Sequence, residues 1–273
     1  MNGKVYLVGA GPGDPELLTV KALRLLRTAD IVLHDDLVTA EILKLIPAMT
    51  EVQNVGKRCG SKTIRQEEIN FLMVTLAASG RQVVRLKSGD PLIFGRAGEE
   101  IEALRRSNIE YEIVPGVTSA LGAAAAAGIP LTHRQTSSTL VLTAGHRASE
   151  AFGTEWSRFA ESGSTLVVYM PGHDYAGMAA RLAAAGFAQE TPCAVISKAT
   201  TAEQQLHRTT ISHLHRAPRL PAPTLLVVGQ VVGFAHDAVQ ARTSVPELER
   251  GFVFALEGKS VLPESLRPEE PMA

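Results

Sequence analysis

The glycines after the first apolar run of the chain are the residues whose spacing first indicates chemistry. The run at 5–9 predicts a buried strand, and GAGPGD follows at 9–14. A strand, a glycine turn and a helix can bind a dinucleotide through the fingerprint GxGxxG, with an acid about 20 residues later for the ribose. Asp35 and Asp36 lie at about that offset. The pattern therefore raises a nicotinamide-dependent oxidoreductase as one hypothesis.

The fingerprint fails at two positions. Its third glycine, Gly13, comes one residue early, and Pro12 removes a backbone N–H from the loop that would hold a pyrophosphate. The nicotinamide enzyme is therefore a minor alternative. A tight turn between a strand and a helix accounts for the glycines equally well.

The elements that would position such a loop alternate in the first half of the chain, which predicts an α/β fold. Strands are predicted at 5–9, 31–33, 83–86 and 111–114, and helices at 17–29, from Thr63 onward, and at 97–106. Thr63 and Gln66 match a capping box at the start of the second helix. The second half predicts helices at 118–127 and 175–185, and strands at 139–143, 165–170, 193–197, 206–211 and 225–228.

The length of 273 residues suits two lobes, each able to bury its own core. We divide the chain into an N-terminal α/β lobe at 1–115, a C-terminal α/β lobe at 116–240, and a tail at 241–273. The tail contains several prolines and little periodicity, so a surface segment or partial disorder is expected there.

Charge and composition narrow the function further. The formal net charge is −1 without a run of Lys or Arg, so nucleic acid is not an expected partner. The chain has 2 cysteines and no metal-binding pattern, which favours a reducing cytoplasm and no metal. We expect no signal peptide or membrane span, since the most apolar tract, 120–129, is short and rich in Ala and Gly.

A set of motifs in fixed order identifies a family. They are VGAGPGD at 8–14, DDLV at 35–38, VGKRCG at 55–60, QEEIN at 66–70, RLKSGDPLIFGR at 85–96, PGVTSA at 115–120, GIPLTHR at 128–134 and VVGQVV at 227–232. Over roughly residues 4–235, the chain resembles the uroporphyrinogen-III C-methyltransferases of the class III tetrapyrrole methylase family. Any one motif is weak, but the ordered set is specific.

The resemblance implies a two-lobed fold with S-adenosyl-L-methionine in the cleft between the lobes, and a homodimer. It implies methylation of uroporphyrinogen III at C2 and C7, which yields precorrin-2 and S-adenosyl-L-homocysteine. Precorrin-2 serves porphyrin biosynthesis, and sirohaem, cobalamin and haem d1 remain open as its destination. The length suggests a stand-alone enzyme without an appended dehydrogenase and ferrochelatase module.

The resemblance also assigns a cofactor site held largely by backbone groups. Its positions are Pro12, Ser88, Gly89, Asp90, Ile93, Thr118, Ser119, Met170 and Ala199. Ser88 and Ala199 stand where glycine is common in the family, so cofactor binding requires that Ser88 has no positive φ.

Substrate and catalytic residues follow from the same resemblance. Asp35 matches the family's proton acceptor, and Lys57 matches a lysine interpreted as a proton donor. Arg96 resembles a substrate-contacting arginine and a second candidate for proton transfer. The remaining substrate-binding positions are Glu99, Arg134 and Met170.

The largest departure from the family lies at 34–36, where His34-Asp35-Asp36 replaces the commoner Tyr-Asp-Arg. Asp36 would repel a propionate, so it turns away, pairs with an arginine such as Arg58, or indicates a different substrate. We place His34 outside the site, together with His133 and His146.

Several alternatives remain. A related precorrin methyltransferase is the nearest, and diphthine synthase or an rRNA methylase of the same fold match the motifs GDPLIFGR and THR less well. The oxidoreductase and a binding module without catalysis represent other classes of function.

Overall fold

A computed structural model describes residues 3–56, 64–145 and 152–235, all within one compact unit, Met1–Val239. The first sheet contains five parallel strands in the order β3-β2-β4-β1-β5. These are β1 (Lys4–Gly9), β2 (Ile31–His34), β3 (Glu51–Asn54), β4 (Val83–Lys87) and β5 (Glu110–Val114). The parallel order fits the predicted alternation of strands and helices.

Helices cover both faces of this sheet. They are α1 (Val20–Thr28), α2 (Ala40–Leu43), α3 (Gln66–Ala78) and α4 (Ala97–Arg106). Alternate residues of the strands face opposite sides, and so Leu7 packs with α3 and α4 while Val8 packs with α1 and α2. The sheet is therefore a buried layer between two helical layers.

The second sheet is mixed, with the order β6-β7-β10-β8-β9. Its strands are β6 (Leu140–Ala144), β7 (Thr165–Tyr169), β8 (Pro192–Ser197), β9 (Gln205–Thr210) and β10 (Thr224–Val228). Strands β6 and β7 are parallel, and the other pairs are antiparallel. Helix α5 (Ser119–Ala127) packs on one face, and α6 (Phe152–Glu161) and α7 (Tyr175–Ala184) pack on the other.

Some element boundaries differ from the prediction. The helix predicted at 17–29 is a 3₁₀ turn, Pro15–Leu17, followed by α1, because Thr19 caps the helix by accepting the N–H of Ala22 at 3.1 Å. Helix α3 begins at Gln66, and the N–H of Arg65 bonds to Glu68 at 2.8 Å. The predicted capping box of Thr63 and Gln66 is therefore wrong, because Glu68 is the residue that accepts the N–H at the start of the helix. Thr63 itself lies outside the described residues.

Among the described residues, two α-helices and one strand were not predicted: α2, α6 and β3. The 3₁₀ helices Ile211–Arg216 and Gln230–Phe234 were not predicted either. The lobe boundary proposed at 115/116 falls in the segment between β5 and α5 and stays a prediction, and the tail at 241–273 lies outside the described residues. Among the described residues, no helix has both the length and the apolar character needed to cross a membrane.

Candidate active site

The loops after β1, β2 and β4 meet at one edge of the first sheet. Parallel strands end at a common edge, and ligands in open α/β sheets bind there. These loops carry the glycine segment at 10–14, the acids Asp35 and Asp36, and the segment at 88–96. This edge is the candidate site.

The glycine loop is joined to the loop after β4 through the backbone. The N–H of Gly11 donates to the carbonyl of Gly89 at 3.1 Å, and the N–H of Gly89 donates back at 2.7 Å. Gly116 lies against the same backbone, where a Cβ would come within 2.3 Å of the Gly89 carbonyl oxygen. Glycine is required at 116 because the chains approach too closely for a side chain.

Asp90 organises the segment at 88–96. Its Oδ1 accepts the N–H of Leu92 at 2.8 Å, and its Oδ2 accepts the N–H of Gly116 at 3.1 Å. Both carboxylate oxygens therefore bond to the protein's own backbone. The side chain of Asp90 therefore fixes its loop to the turn at Gly116.

The second sheet and α5 meet the glycine loop on its other side. Gly122 lies against the ring of Pro12, since a Cβ there would be 2.5 Å from Cγ of the proline. The N–H of Asp14 donates to Oγ1 of Thr200 at 3.2 Å. Thr118 lies 2.6 Å from the hydroxyl of Tyr169.

The structure thus brings most of the predicted cofactor positions together. A Cβ on Gly89 would be 3.4 Å from Oγ of Ser119, and Ile93 and Ala199 pack against the core cluster that contains α5. Met170 directly follows Tyr169 and is 47% exposed. Their role in binding stays a prediction.

Backbone strain is concentrated in the same loops. Six described residues other than glycine have a positive φ, and five of them are Phe94, Arg96, Met170, Lys198 and Thr200. Such conformations cost free energy and are found where function requires them. Ser88 is not in this set, so its side chain meets the condition set for replacing glycine there.

Asp35 directly follows β2, in line with the residues of the strand that face α3 and α4. Its carboxylate forms an ion pair with Arg85 and lies 4.0 Å from Nζ of Lys87, and the side chain is 30% exposed. Leu33 is opposite Arg85 in the parallel register, and so Asp35, two residues on, reaches the level of Lys87.

The two cations also bond to a buried acid, Glu100 of α4. Nε of Arg85 donates to Oε1 of Glu100 at 2.9 Å, and Nζ of Lys87 donates to the same oxygen at 3.0 Å. Burial lowers the pKa of Arg85, but the charges of Asp35 and Glu100 outweigh it and raise that pKa overall. Burial and the charge of Arg85 lower the pKa of Lys87.

Sequence reasoning missed Arg85, Lys87 and Glu100. A signal existed, because Glu100 lies three residues after Ala97 and four before Leu104, on the buried stripe of its helix. Arg85 and Lys87 are two residues apart on a strand and therefore share a face.

Arg96 and Glu99 form a bidentate pair at the start of α4. Nε and Nη2 of Arg96 each lie 2.7 Å from a carboxylate oxygen of Glu99, and the side chains are 46% and 50% exposed. The hydrogen bond to Glu99 raises the pKa of Arg96. A guanidinium of this kind stays charged, which suits anion binding better than proton transfer.

Two other predicted residues remain, Arg134 and Lys57. Arg134 is exposed in the turn closed by the backbone bridge between His133 and Ser137. Lys57, with Arg58 and His146, lies outside the described residues.

The unusual triplet at 34–36 is accounted for in part. Asp36 accepts a hydrogen bond from Nδ2 of Asn54 at 3.2 Å. His34 is buried, and its Nδ1 lies 3.0 Å from the carbonyl oxygen of Asp35. His34 is thus a packed residue at the end of β2.

The donor groups of this edge fit a sulfonium cofactor. The predicted cofactor positions offer backbone groups and the hydroxyls of Ser88, Thr118 and Ser119, and they include no lysine or arginine. The one carboxylate among them, that of Asp90, accepts two backbone N–H groups. Carbonyl oxygens suit a positive sulfur, and amides and hydroxyls suit a ribose and a carboxylate. A phosphate would need positive charge that this set does not supply.

Comparison with known proteins identifies relatives over most of the chain. Siroheme synthase 1 of Yersinia enterocolitica is 46% identical over 236 residues, which cover 86% of this chain and 50% of that protein. The siroheme synthase of Neisseria meningitidis serogroup B is 48% identical over 232 residues, 85% of this chain and 48% of that protein. The chain spans about half the length of these curated relatives.

Solved structures align as well. Uroporphyrin-III-C-methyltransferase from Thermus thermophilus is 44% identical with a TM-score of 0.72, covering 85% of this chain and 95% of that chain. A uroporphyrin-III C-methyl transferase from Thermus thermophilus complexed with S-adenyl homocysteine is 38% identical with a TM-score of 0.73, covering 85% of this chain and 99% of that chain. Cobalt precorrin-4 methyltransferase is 32% identical with a TM-score of 0.74, covering 84% and 95%.

The family model for tetrapyrrole (corrin/porphyrin) methylases matches residues 4–215, which include the whole first sheet and the strands β6 to β9. With the ordered motifs and the fold described above, this match shows that the chain belongs to the tetrapyrrole methylase family.

Proposed function

We propose that the protein is an S-adenosyl-L-methionine-dependent C-methyltransferase that converts uroporphyrinogen III to precorrin-2 by methylation at C2 and C7. The observation that carries the proposal is the alignment with a uroporphyrin-III-C-methyltransferase at 44% identity over 95% of that chain. A Thermus thermophilus uroporphyrin-III C-methyl transferase, 38% identical to this chain, is complexed with S-adenyl homocysteine, which supports the choice of methyl donor.

S-adenosyl-L-methionine supplies an electrophilic methyl group when bound, because its sulfur is positively charged. The residues of this chain orient the acceptor carbon and remove the positive charge that the reaction creates. Attack by a neutral pyrrole carbon on that methyl group forms the C–C bond as the methyl–sulfur bond breaks, with S-adenosyl-L-homocysteine as the leaving group, and leaves a positive charge on the macrocycle. Loss of a proton removes that charge, and Asp35 is the carboxylate that we assign to accept it.

Positioning accounts for most of the expected catalysis, since the methyl group is already activated. The glycine loop at 10–14 and the segment at 88–96 are joined through Gly11 and Gly89, which fixes the two cofactor loops relative to each other. Met170 would contact both substrate and cofactor.

Substrate recognition is assigned to the cations at the edge of the site. Uroporphyrinogen III carries eight carboxylates, and Arg96 offers a guanidinium already oriented by Glu99. Arg134 is a second exposed arginine, and Lys57 is the proposed proton donor. Each of these roles is a proposal that mutation of the residue can test.

The test is an anaerobic assay with S-adenosyl-L-methionine and uroporphyrinogen III, with products identified by mass. We expect a dimethylated macrocycle and two equivalents of S-adenosyl-L-homocysteine. A protein that binds S-adenosyl-L-homocysteine but transfers no methyl group to this substrate would contradict the proposal.

A later precorrin is the second candidate substrate. The alignment with cobalt precorrin-4 methyltransferase favours it, as does Asp36, an acid where substrate-facing arginine is common in the family. Methyl transfer to a later precorrin but not to uroporphyrinogen III would select this candidate.

We also propose a homodimer, as the resemblance to the family implies, and a cytoplasmic location, as the low cysteine content favours. Light scattering during size-exclusion chromatography is expected to give twice the 29.1 kDa of one chain. Fractionation of cells is expected to place the protein with the cytoplasmic enzymes.

A further inference from the structure

Three ionisable side chains are buried beside Asp35 and have no part in the binding or proton transfer proposed so far. Arg85 and Lys87 are each 2% exposed, and Glu100 is 0% exposed. Buried ions are costly, and replacing them with apolar groups is often neutral or stabilising. Stability alone therefore does not account for these three residues.

The guanidinium of Arg85 is fixed from several directions. Its Nε donates to Glu100 at 2.9 Å, and its Nη1 lies 3.4 Å from the carbonyl oxygens of both Leu33 and Leu86. Its Nη2 donates to Oδ1 of Asp35. Because the guanidinium is planar and rigid, these bonds determine the direction from which it meets Asp35.

Glu100 holds both cations through one oxygen. Its Oε1 accepts from Arg85, from Lys87 at 3.0 Å and from Nε2 of Gln66 at 3.3 Å. Lys87 also lies 4.0 Å from Oδ2 of Asp35, so the two oxygens of Asp35 face two different cations. Rotation of the carboxylate would break one contact or the other.

The other oxygen of Glu100 indicates a functional constraint. Oε2 is buried and has no hydrogen-bond partner within the described part of the chain. A buried carboxylate oxygen without a partner destabilises the fold, and such exceptions call for an explanation. The arrangement is better suited to directing Asp35 than to stabilising α4.

We propose that Arg85, Lys87 and Glu100 are positioning residues that hold the carboxylate of Asp35 towards the reacting carbon. The inference rests on the proposed role of Asp35 as proton acceptor. The three residues act through Asp35 and do not contact the substrate.

Arg85→Lys is the first test. Lysine keeps the positive charge but cannot bond to Glu100 and Asp35 as a planar fork. We expect kcat to fall by about 10- to 100-fold, the loss typical of a misplaced catalytic group, with KM within about threefold of wild type. The Kd for S-adenosyl-L-homocysteine should stay unchanged. Arg81→Lys is the matched control, since Arg81 pairs with Glu51 in a more exposed ion pair.

A double-mutant cycle separates this inference from the proposed function. Asp35→Asn should lower kcat strongly, and Arg85→Lys should add little further loss in the Asp35→Asn protein, because it acts through the missing carboxylate. Wild-type kcat in Asp35→Asn would overturn the role of Asp35 itself. Two results would overturn the positioning role alone. In the first, Asp35→Asn lowers kcat but Arg85→Lys has the kcat of wild type. In the second, the double variant loses the product of the two single losses in kcat.

Glu100→Gln provides a second variant if Arg85→Lys does not fold. Gln keeps the shape and the acceptor oxygen but removes the charge that holds the two cations. We expect a fall in kcat of about tenfold or more with normal binding of S-adenosyl-L-homocysteine. Wild-type kcat would contradict the proposal. Loss of this binding in both variants would show that the residues serve the fold, and would also overturn it.

Discussion

The hydroxyl oxygen of Tyr169 lies 2.6 Å from Oγ1 of Thr118 and 3.0 Å from the backbone nitrogen of Ala120. This side chain therefore joins the end of β7 to the first turn of α5. The ring of Phe94, from the loop after β4, packs on it with a centroid distance of 4.8 Å. Since Met170 follows directly, one phenol connects several parts of the proposed cofactor site.

Tyr169→Phe is expected to weaken the fold and the binding of S-adenosyl-L-homocysteine together. Removal of the hydroxyl leaves the N–H of Ala120 without that acceptor, which costs about 1–3 kcal/mol. Urea unfolding and calorimetry measure the two effects. Tyr111→Phe is the control, because its hydroxyl accepts from Arg105 on an exposed surface. Equal behaviour of the two variants would contradict the role of Tyr169.

Gly122→Ala is expected to raise the Kd for S-adenosyl-L-homocysteine. The added Cβ would meet Cγ of Pro12 at 2.5 Å and displace the glycine loop. Gly98→Ala is the control, because no atom lies within 4 Å of its Cβ position in α4. There the change should leave this Kd unaltered and stabilise the helix by up to about 1 kcal/mol. An unchanged Kd in Gly122→Ala would separate this loop from cofactor binding.

Arg96→Lys is expected to raise the KM for uroporphyrinogen III about tenfold, equivalent to about 1.4 kcal/mol. Lysine loses the bidentate geometry that Glu99 now orients. Arg106→Lys, at an exposed ion pair with Glu102 further along the same helix, should leave KM unchanged. A KM equal to wild type in both variants would remove Arg96 from substrate binding.

Cys193 is expected to make stability depend on alkaline pH. Burial raises the pKa of its thiol to about 12, against 9.0 for the unperturbed group. Between these values the unfolded chain loses the thiol proton while the folded chain keeps it, so stability falls as pH rises. The slope approaches about 1.4 kcal/mol per pH unit.

Urea unfolding of the parent and of Cys193→Ala at pH 8, 9.5 and 10.5 isolates this contribution, because other groups titrate equally in both proteins. The parent should lose more stability than the variant over this range. Parallel pH curves would show that the thiol ionises as readily in the folded chain.

The elements that the sequence predicted well have strong periodicity. Strands β4 and β7 are buried along their length and β1 over most of its length, so their apolar residues mark them clearly. Strand β3 is a largely exposed edge strand with the sequence EVQN, and nothing in its pattern distinguishes it from a loop. Its pairing with β2 depends on the rest of the sheet.

The residues of the candidate site also fall into those that the sequence predicted and those that it did not. Motif order led to the loops at 10–14 and 88–96, and the structure brings those loops together. Arg85 and Glu100 were not predicted as site residues because charged residues are usually exposed. Their burial depends on tertiary contacts between β4 and α4. A polar residue on an otherwise buried stripe is the signal to seek in related chains.

The central position of β10 has a consequence for synthesis of the protein. This strand lies between β7 and β8, although it is the last strand along the described chain. The first sheet has all its strands by residue 114, so its strands emerge from the ribosome well before the last strand of the second sheet is synthesised. Until residues 224–228 emerge, β7 and β8 each expose an unpaired edge, which makes the nascent chain prone to aggregation.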